Sequence, residues 1–281
     1  MIKPVDHKRI IQKLLLSQPV DLPVFHEVAL RLQKMMTDNS YRIEEAIKLV
    51  NEDTALASEM LRHANTTYNS GKEPITTIKS AIVRLGSQQV VNLAFTASMA
   101  NNKSDNSFIN AHLKSLWHHS HVVAITSSWL AVQASHEKNI LDVNADEVYL
   151  AGLFHDIGRL YLLKSMDSLI KLGILLADDI LTDEWLEGFS LQLGMKVMLH
   201  LNIPDIYSNS VERHITDNWK CGTNDYLVAA VRLSCKLHQY IEDGNHLTTT
   251  CKINNQVQDE LSLLGIGDIG YVYDMIKAIV D

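Results

Sequence analysis

The sequence predicts an all-α protein, a compact multi-helix bundle, on three observations. Apolar residues recur at i, i+3, i+4, i+7 spacing along most of the chain, as in Ile78, Ala81, Ile82 and Leu85. The periodic runs are short and are separated by polar turns carrying residues that cap helices. No stretch of useful length alternates with period two, and no fixed-period repeat suggests a solenoid.

Taken in order, residues 1–21 form a helical extension, with Ile10, Ile11, Leu14 and Leu15 at helical spacing until Pro19 and Pro23 break it. Val28, Leu32 and Met35 mark a helix ending near Thr37–Ser40. Ile43, Ala46, Ile47 and Val50 mark the next, with Ser40 as its expected N-cap and Glu44 and Glu45 in the first turn, where acids suit the dipole. Asp53 is expected to cap a third helix bearing Ala57, Met60, Leu61 and Ala64, ended by the turn-prone run from Asn65 to Gly71. The helix of Ile78–Leu85 meets Gly86 where a C′ glycine belongs, and Ser87 is placed to cap the helix to about Ala100.

Asn101–Asn110 reads as a loop and Ala111–Ala134 as the longest helix. Its stripe Leu113, Trp117, Ser120, Ala124, Ser127 and Ala131 is small at the centre, so a neighbour can approach closely. Asn144 to Glu147 resembles a capping box opening a helix that Gly158 ends or bends. Helices follow at Tyr161–Met166, around Leu169–Ala177, around Trp185–Leu201, at Val211–Ile215 and at Asp225–Glu242. One or two more surround Gly265–Gly270 in Ile253–Asp281. The connector Asp243–Thr250 is too short to separate independent domains.

Hydrophobic residues at 46 % support a real core, and a net charge of −8 disfavours a general grip on nucleic acid phosphate. No apolar run reaches the roughly 18 residues of a membrane span. The N-terminus lacks a signal core, and three cysteines (Cys221, Cys235, Cys251) form no close pair. A cytoplasmic protein is expected, with no membrane and no nucleic acid among its partners.

Within AGLFHDIGRL (Ala151–Leu160), two polar residues, His155 and Asp156, interrupt a segment that otherwise reads as core. Either they bind something or they hydrogen-bond inside the bundle. A divalent metal that activates water needs imidazole and carboxylate ligands converging from several helices. His155 and Asp156 supply two, and His119 is a candidate third.

The runs LPVFHEVALRL (Leu22–Leu32), NEDTALASEMLRHANTTY (Asn51–Tyr68), ITTIKSAIVRLG (Ile75–Gly86), LWHHSHVVA (Leu116–Ala124) and AGLFHDIGRL together resemble an HDOD domain. That is a helical relative of the HD phosphohydrolases and HD-GYP phosphodiesterases found mostly in bacterial signalling proteins. The resemblance implies an HDOD domain over 22–215, with 216–281 as C-terminal helices packed on the same body. Carried over, it assigns His119, His155 and Asp156 as metal ligands. It departs from the catalytic pattern elsewhere. Ser190 stands where HD-GYP relatives have a histidine, Arg213-His214 replaces a histidine pair, and the closing aspartate reads as Cys235. Asp225 lies ten residues earlier on the same helix, roughly 15 Å along its axis, and is expected to miss the site.

The favoured expectation is a non-catalytic signalling module with a degenerate site, acting through a protein partner. Beside it stands a metal-dependent phosphohydrolase (phosphomonoester or phosphodiester) with an altered site, in which His119, His155 and Asp156 hold Zn, Mn, Fe or Mg and Cys235 or His214 completes the shell. A third reading is a nucleotide or small-ligand sensor that does not hydrolyse.

Overall fold

The structure, a computed structural model, describes residues 16, 25–66, 74–138, 144–174, 183–215, 225–245, 253 and 256–280. Apart from residue 16, the helical extension expected over 1–21 lies outside them, as do most of the connector Asp243–Thr250, Cys221, Cys251 and the end of the turn at 67–71. The described residues are overwhelmingly helical and contain no strand. The chain divides into two compact units, Pro23–Lys103 in one and Met1–Leu22 with Ser104–Asp281 in the other.

The smaller unit holds α1 (Glu27–Thr37), α2 (Ile43–Glu52), α3 (Thr54–Ala64), α4 (Ile78–Leu85) and α5 (Ser87–Ala100). Asp53 caps α3 as expected, its Oδ1 accepting from the N–H groups of Ala55 and Leu56 at 3.0 Å. Gly86 follows α4 with φ +82°, a conformation that excludes most side chains. Two expected caps are not used. Arg42 occupies the N-cap of α2, and Ser40 Oγ reaches back to the Met35 carbonyl. Ser87 is already helical, with Gly86 before it. Phe25 packs edge-on against Phe95 in this unit's core, ring centres 4.8 Å apart.

The larger unit is built on α6 (Ser107–Lys138). This helix starts earlier than its apolar stripe suggests, because Asn106 Oδ1 accepts from the N–H groups of Phe108 and Ile109. The helix α7 (Ala145–Phe154) begins at Asn144, whose side chain accepts from the Asp146 N–H. It crosses α6 at the small centre of the stripe. A Cβ on Gly152 would lie 2.7 Å from Ala124 Cα, so the crossing admits only hydrogen at that point.

His155 and Asp156 form the turn between α7 and α8 (Ile157–Lys171). The bend expected at Gly158 is therefore two residues early, and Gly158 sits in the first turn of α8. Its role is close approach: a Cβ there would fall 1.7 Å from the Ser190 carbonyl oxygen on α9 (Asp183–His200). The helix expected around Leu169 is a continuation of α8, which runs unbroken until a turn at Gly173 (φ +69°). Then come α10 (Asp205–Arg213), α11 (Tyr226–Glu242), α12 (Gln258–Leu264) and α13 (Ile269–Val280). The last pair flanks the expected Gly265–Gly270 break.

The core beneath these helices joins Val122 and Leu130 of α6 to Val228, Leu233 and Leu237 of α11 and to Leu264, Val272 and Ile276 near the C-terminus. Leu237 and Leu264 are fully enclosed, and each such side chain stabilises the fold by about 2 kcal/mol. Trp129 packs against Tyr271 on this unit's surface. The packing of α6, α7, α8 and α11 fixes the frame into which the polar residues project.

Candidate functional site

The turn between α7 and α8 aims His155 and Asp156 at α6 and α11. His155 is 1 % exposed and Asp156 7 %, so neither is left to bulk water. His119 on α6 and Cys235 on α11 meet them there. His119 Nε2 lies 3.1 Å from His155 Nε2, 3.6 Å from Cys235 Sγ and 4.0 Å from Asp156 Oδ2. His214, just past α10, brings Nε2 to 3.5 Å from Asp156 Oδ1. All five residues singled out from the sequence therefore converge. Asp225, as expected, is elsewhere: it forms a bidentate pair with Arg213 at 2.7 and 3.0 Å.

Three residues escaped the sequence reading. Arg159, one turn along α8, places Nη1 3.3 Å from Asp156 Oδ2. His238 on α11 places Nδ1 2.7 Å from His119 Nδ1. It lies three residues after Cys235 and so shares its helix face, a spacing that was legible once Cys235 had been placed. Arg232 lies three residues before Cys235. Its Nη1 donates to the carbonyls of Arg213 and His214, and its Nε donates to Glu260 at 2.8 Å, with Lys236 on the same oxygen. This buried pair holds the end of α10, and with it His214, against α11.

The hydrogen-bond directions follow from the tautomers. His155 Nδ1 is 2.6 Å from the Gly152 carbonyl, which only accepts, so Nδ1 carries the proton and Nε2 offers a lone pair. His119 Nε2 then donates to His155 Nε2, and His119 Nδ1 accepts from His238 Nδ1–H. The three imidazoles form one chain, His238 to His119 to His155 to Gly152, in which each is neutral. Electrostatics agree. Burial pushes His155 down to about 4 and, with His118 beside it, His238 also to about 4. Burial and then the His155 ring hold His119 well below the ordinary histidine value. The chain leaves one atom over: His238 Nε2 is buried with no hydrogen-bond partner.

Burial by itself would raise the Asp156 carboxyl, but His155, the His214 hydrogen bond and Arg159 outweigh it and hold the group ionised well below its usual range. Burial pushes the Cys235 thiol up to about 12. The cluster opens on a cavity of about 900 Å³ whose lining includes His119, Asp156, Arg159, Ser190, His214, Arg232, Lys236, Glu242, Asp259 and Glu260. Ser190 thus stands at the wall where the resemblance would place a further histidine, and its hydroxyl is a poor substitute for imidazole.

These donors do not fit a hard, water-activating ion such as Mg²⁺ or Mn²⁺. The late carboxylate is a protonated thiol, the extra imidazole is a hydroxyl, and Asp156 already faces the Arg159 guanidinium. The spacing is closer to that of a soft tetrahedral ion. With metal–nitrogen bonds of about 2.1 Å and a metal–sulfur bond of about 2.3 Å, nitrogen–sulfur edges come to about 3.6 Å, as between His119 and Cys235.

Comparison with known proteins agrees with the architecture. The HDOD domain family model matches residues 22–216. A structure from Shewanella amazonensis SB2B, described provisionally as a metal-dependent phosphohydrolase, superposes with a TM-score of 0.71 at 20 % identity, covering 99 % of each chain. An HDOD domain protein of unknown function from Geobacter sulfurreducens superposes at 0.62 with 18 % identity, covering 98 % of this chain and 99 % of that one. A Marinobacter aquaeolei VT8 structure, described provisionally as a signal transduction protein, gives 0.62 at 17 % identity, covering 99 % of this chain and 64 % of that one. Among curated proteins none matches the sequence. No described helix is long and apolar enough to cross a membrane.

Proposed function

Since this chain belongs to the HDOD domain family, we propose that it is a non-catalytic signalling module whose former metal site is a structural polar cluster, and that it acts through a protein partner. The observation that carries this reading is the closed chain from His238 through His119 and His155 to Gly152. Its shared protons are satisfied within the chain, and the Asp156 carboxylate faces the Arg159 guanidinium at 3.3 Å. A family member that turned over phosphoesters would need these same nitrogens as lone pairs aimed at a metal. Here the donor set around them is incomplete, with Cys235 in place of the late carboxylate and Ser190 in place of a further imidazole. Nucleotide sensing draws little support from the cavity, because Lys236 and Arg232 both engage Glu260.

The test is hydrolysis of phosphomonoesters, nucleotides and cyclic dinucleotides with Mg²⁺, Mn²⁺ or Fe²⁺ supplied. The expected rate is that of the buffer. Metal-dependent turnover of about 1 per second or faster, abolished by Asp156→Ala, would refute the reading.

The His119–Cys235 distance favours a second reading, a soft ion such as Zn²⁺ held by His119, His155, Asp156 and Cys235. Binding would have to expel the thiol proton and reverse the His119 tautomer. Loading with Co²⁺ reports it directly, through a thiolate charge-transfer band that Cys235→Ser removes; no such band in the unmodified protein rules the reading out.

A further inference from the structure

A second group of donors lies one ring away from the cluster, on the seam between α6 and α11. His238 and Glu242 are one turn apart on α11, with His238 Nδ1 3.8 Å from Glu242 Oε2. His118 on α6 faces them, its ring centre 5.7 Å from that of His238. One donor atom from each of the three lies within 4.8 Å of the others. His118 and Glu242 are exposed and His238 is fully buried, so the group has an anchored inner ligand and two outer ones that solvent reaches.

His238 also has an unfilled valence. Its Nδ1 proton is committed to His119, so Nε2 carries a lone pair, and that atom is buried with no hydrogen-bond partner. Leaving such a buried acceptor unmet is costly, so the atom calls for a partner. Metal-bound histidines usually donate their other N–H to a neighbour, which fixes the ring. His238 meets that condition through His119.

We propose that His118, His238 and Glu242 form a binding site for a borderline divalent cation, Zn²⁺ in the first instance. Two imidazoles and one carboxylate select such an ion over Mg²⁺ or Ca²⁺, which require oxygen donors. Glu242 approaches the ring at Nδ1, 3.8 Å away, so meeting an ion held on Nε2 takes a swing of its exposed side chain along the ring edge. Three protein ligands leave the fourth position to water or to a side chain of a partner. The ion acts on the cluster through His238. By holding Nε2 it keeps the Nδ1 proton pointed at His119, and so keeps His119 donating to His155. The site does not depend on the absence of catalysis proposed above, because none of its three ligands is among the residues of the HD pattern.

Equilibrium dialysis of the full chain against Zn²⁺ tests it, with His118→Ala, Glu242→Ala and Cys235→Ser in parallel. Both outer ligands are exposed, so their removal leaves the fold intact. The unmodified protein is expected to retain zinc and to gain thermal stability from it. Cys235→Ser is expected to bind equally well, while His118→Ala and Glu242→Ala each lose at least about tenfold in affinity and lose the stability gain. The proposal is overturned if the unmodified protein retains no zinc, or if His118→Ala and Glu242→Ala bind as it does. It is also overturned if Cys235→Ser alone removes the binding, since the ion would then belong to the HD cluster.

Discussion

Replacing Gly158 by alanine tests the packing that holds the cluster in place. A Cβ at that position falls 1.7 Å from the Ser190 carbonyl oxygen and 2.7 Å from the Gly194 backbone nitrogen. Ordinary contact needs about 3.5 Å, so α8 and α9 must separate by roughly 1.5–2 Å. Both opposing atoms are backbone, and neither can yield by rotating. Overpacking of this kind costs about 3 kcal/mol, the upper part of the usual range. Urea unfolding followed by circular dichroism should show the midpoint of Gly158→Ala about 1 M lower. Gly267→Ala is the control. It meets no atom within 4 Å and has no positive φ, so its stability should stay within about 0.5 kcal/mol of the parent. If Gly158→Ala unfolded at the parent's midpoint, the close approach of α8 to α9 would be refuted, and with it the account of how Asp156 and Arg159 are positioned.

Acid should destabilise the protein through its buried imidazoles. His155 titrates near 4 when folded against an ordinary 6.5, so between those values the unfolded chain binds more protons and stability falls as pH falls. Between about pH 7 and pH 5 this one group should remove about 2 kcal/mol. Asp156, held below its usual range, loses its contribution only at lower pH still. Urea midpoints across that window check the slope, and His155→Gln should flatten it; a parent protein equally stable at both ends would contradict the neutral chain. Glu260→Ala leaves the buried Arg232 without its carboxylate and should cost about 3–5 kcal/mol. The double variant Arg232→Met, Glu260→Leu should recover much of that loss in the same assay, and no recovery would mean that the carbonyl contacts of Arg232, rather than its ion pair, carry the effect.

Much of this protein was legible in its residues alone. Helix period, the Asp53 cap and the Gly86 stop are local matters, decided by side chains within one turn of the backbone they serve. The five candidate residues His119, His155, Asp156, His214 and Cys235 were named from the register the resemblance supplied, and the structure brings them together. Local signals misled where two competed. Asn106 outweighed the polar look of 101–110 and started α6 early, and Arg42 rather than Ser40 precedes α2.

Contacts between distant helices could not be read this way. Gly158 looked like a helix breaker, yet its missing side chain serves α9, thirty-odd residues away, and only the crossing of α8 and α9 reveals that. His238 was merely one of 13 histidines until α11 set it 2.7 Å from His119. Arg232, Lys236 and Glu260 gave no sign of belonging together. The same limit applies to function. Residue identity marks where an HD site would stand, but proton placement among His238, His119 and His155 depends on which atoms face one another. That is set by how four helices pack, not by the order of residues within any one of them.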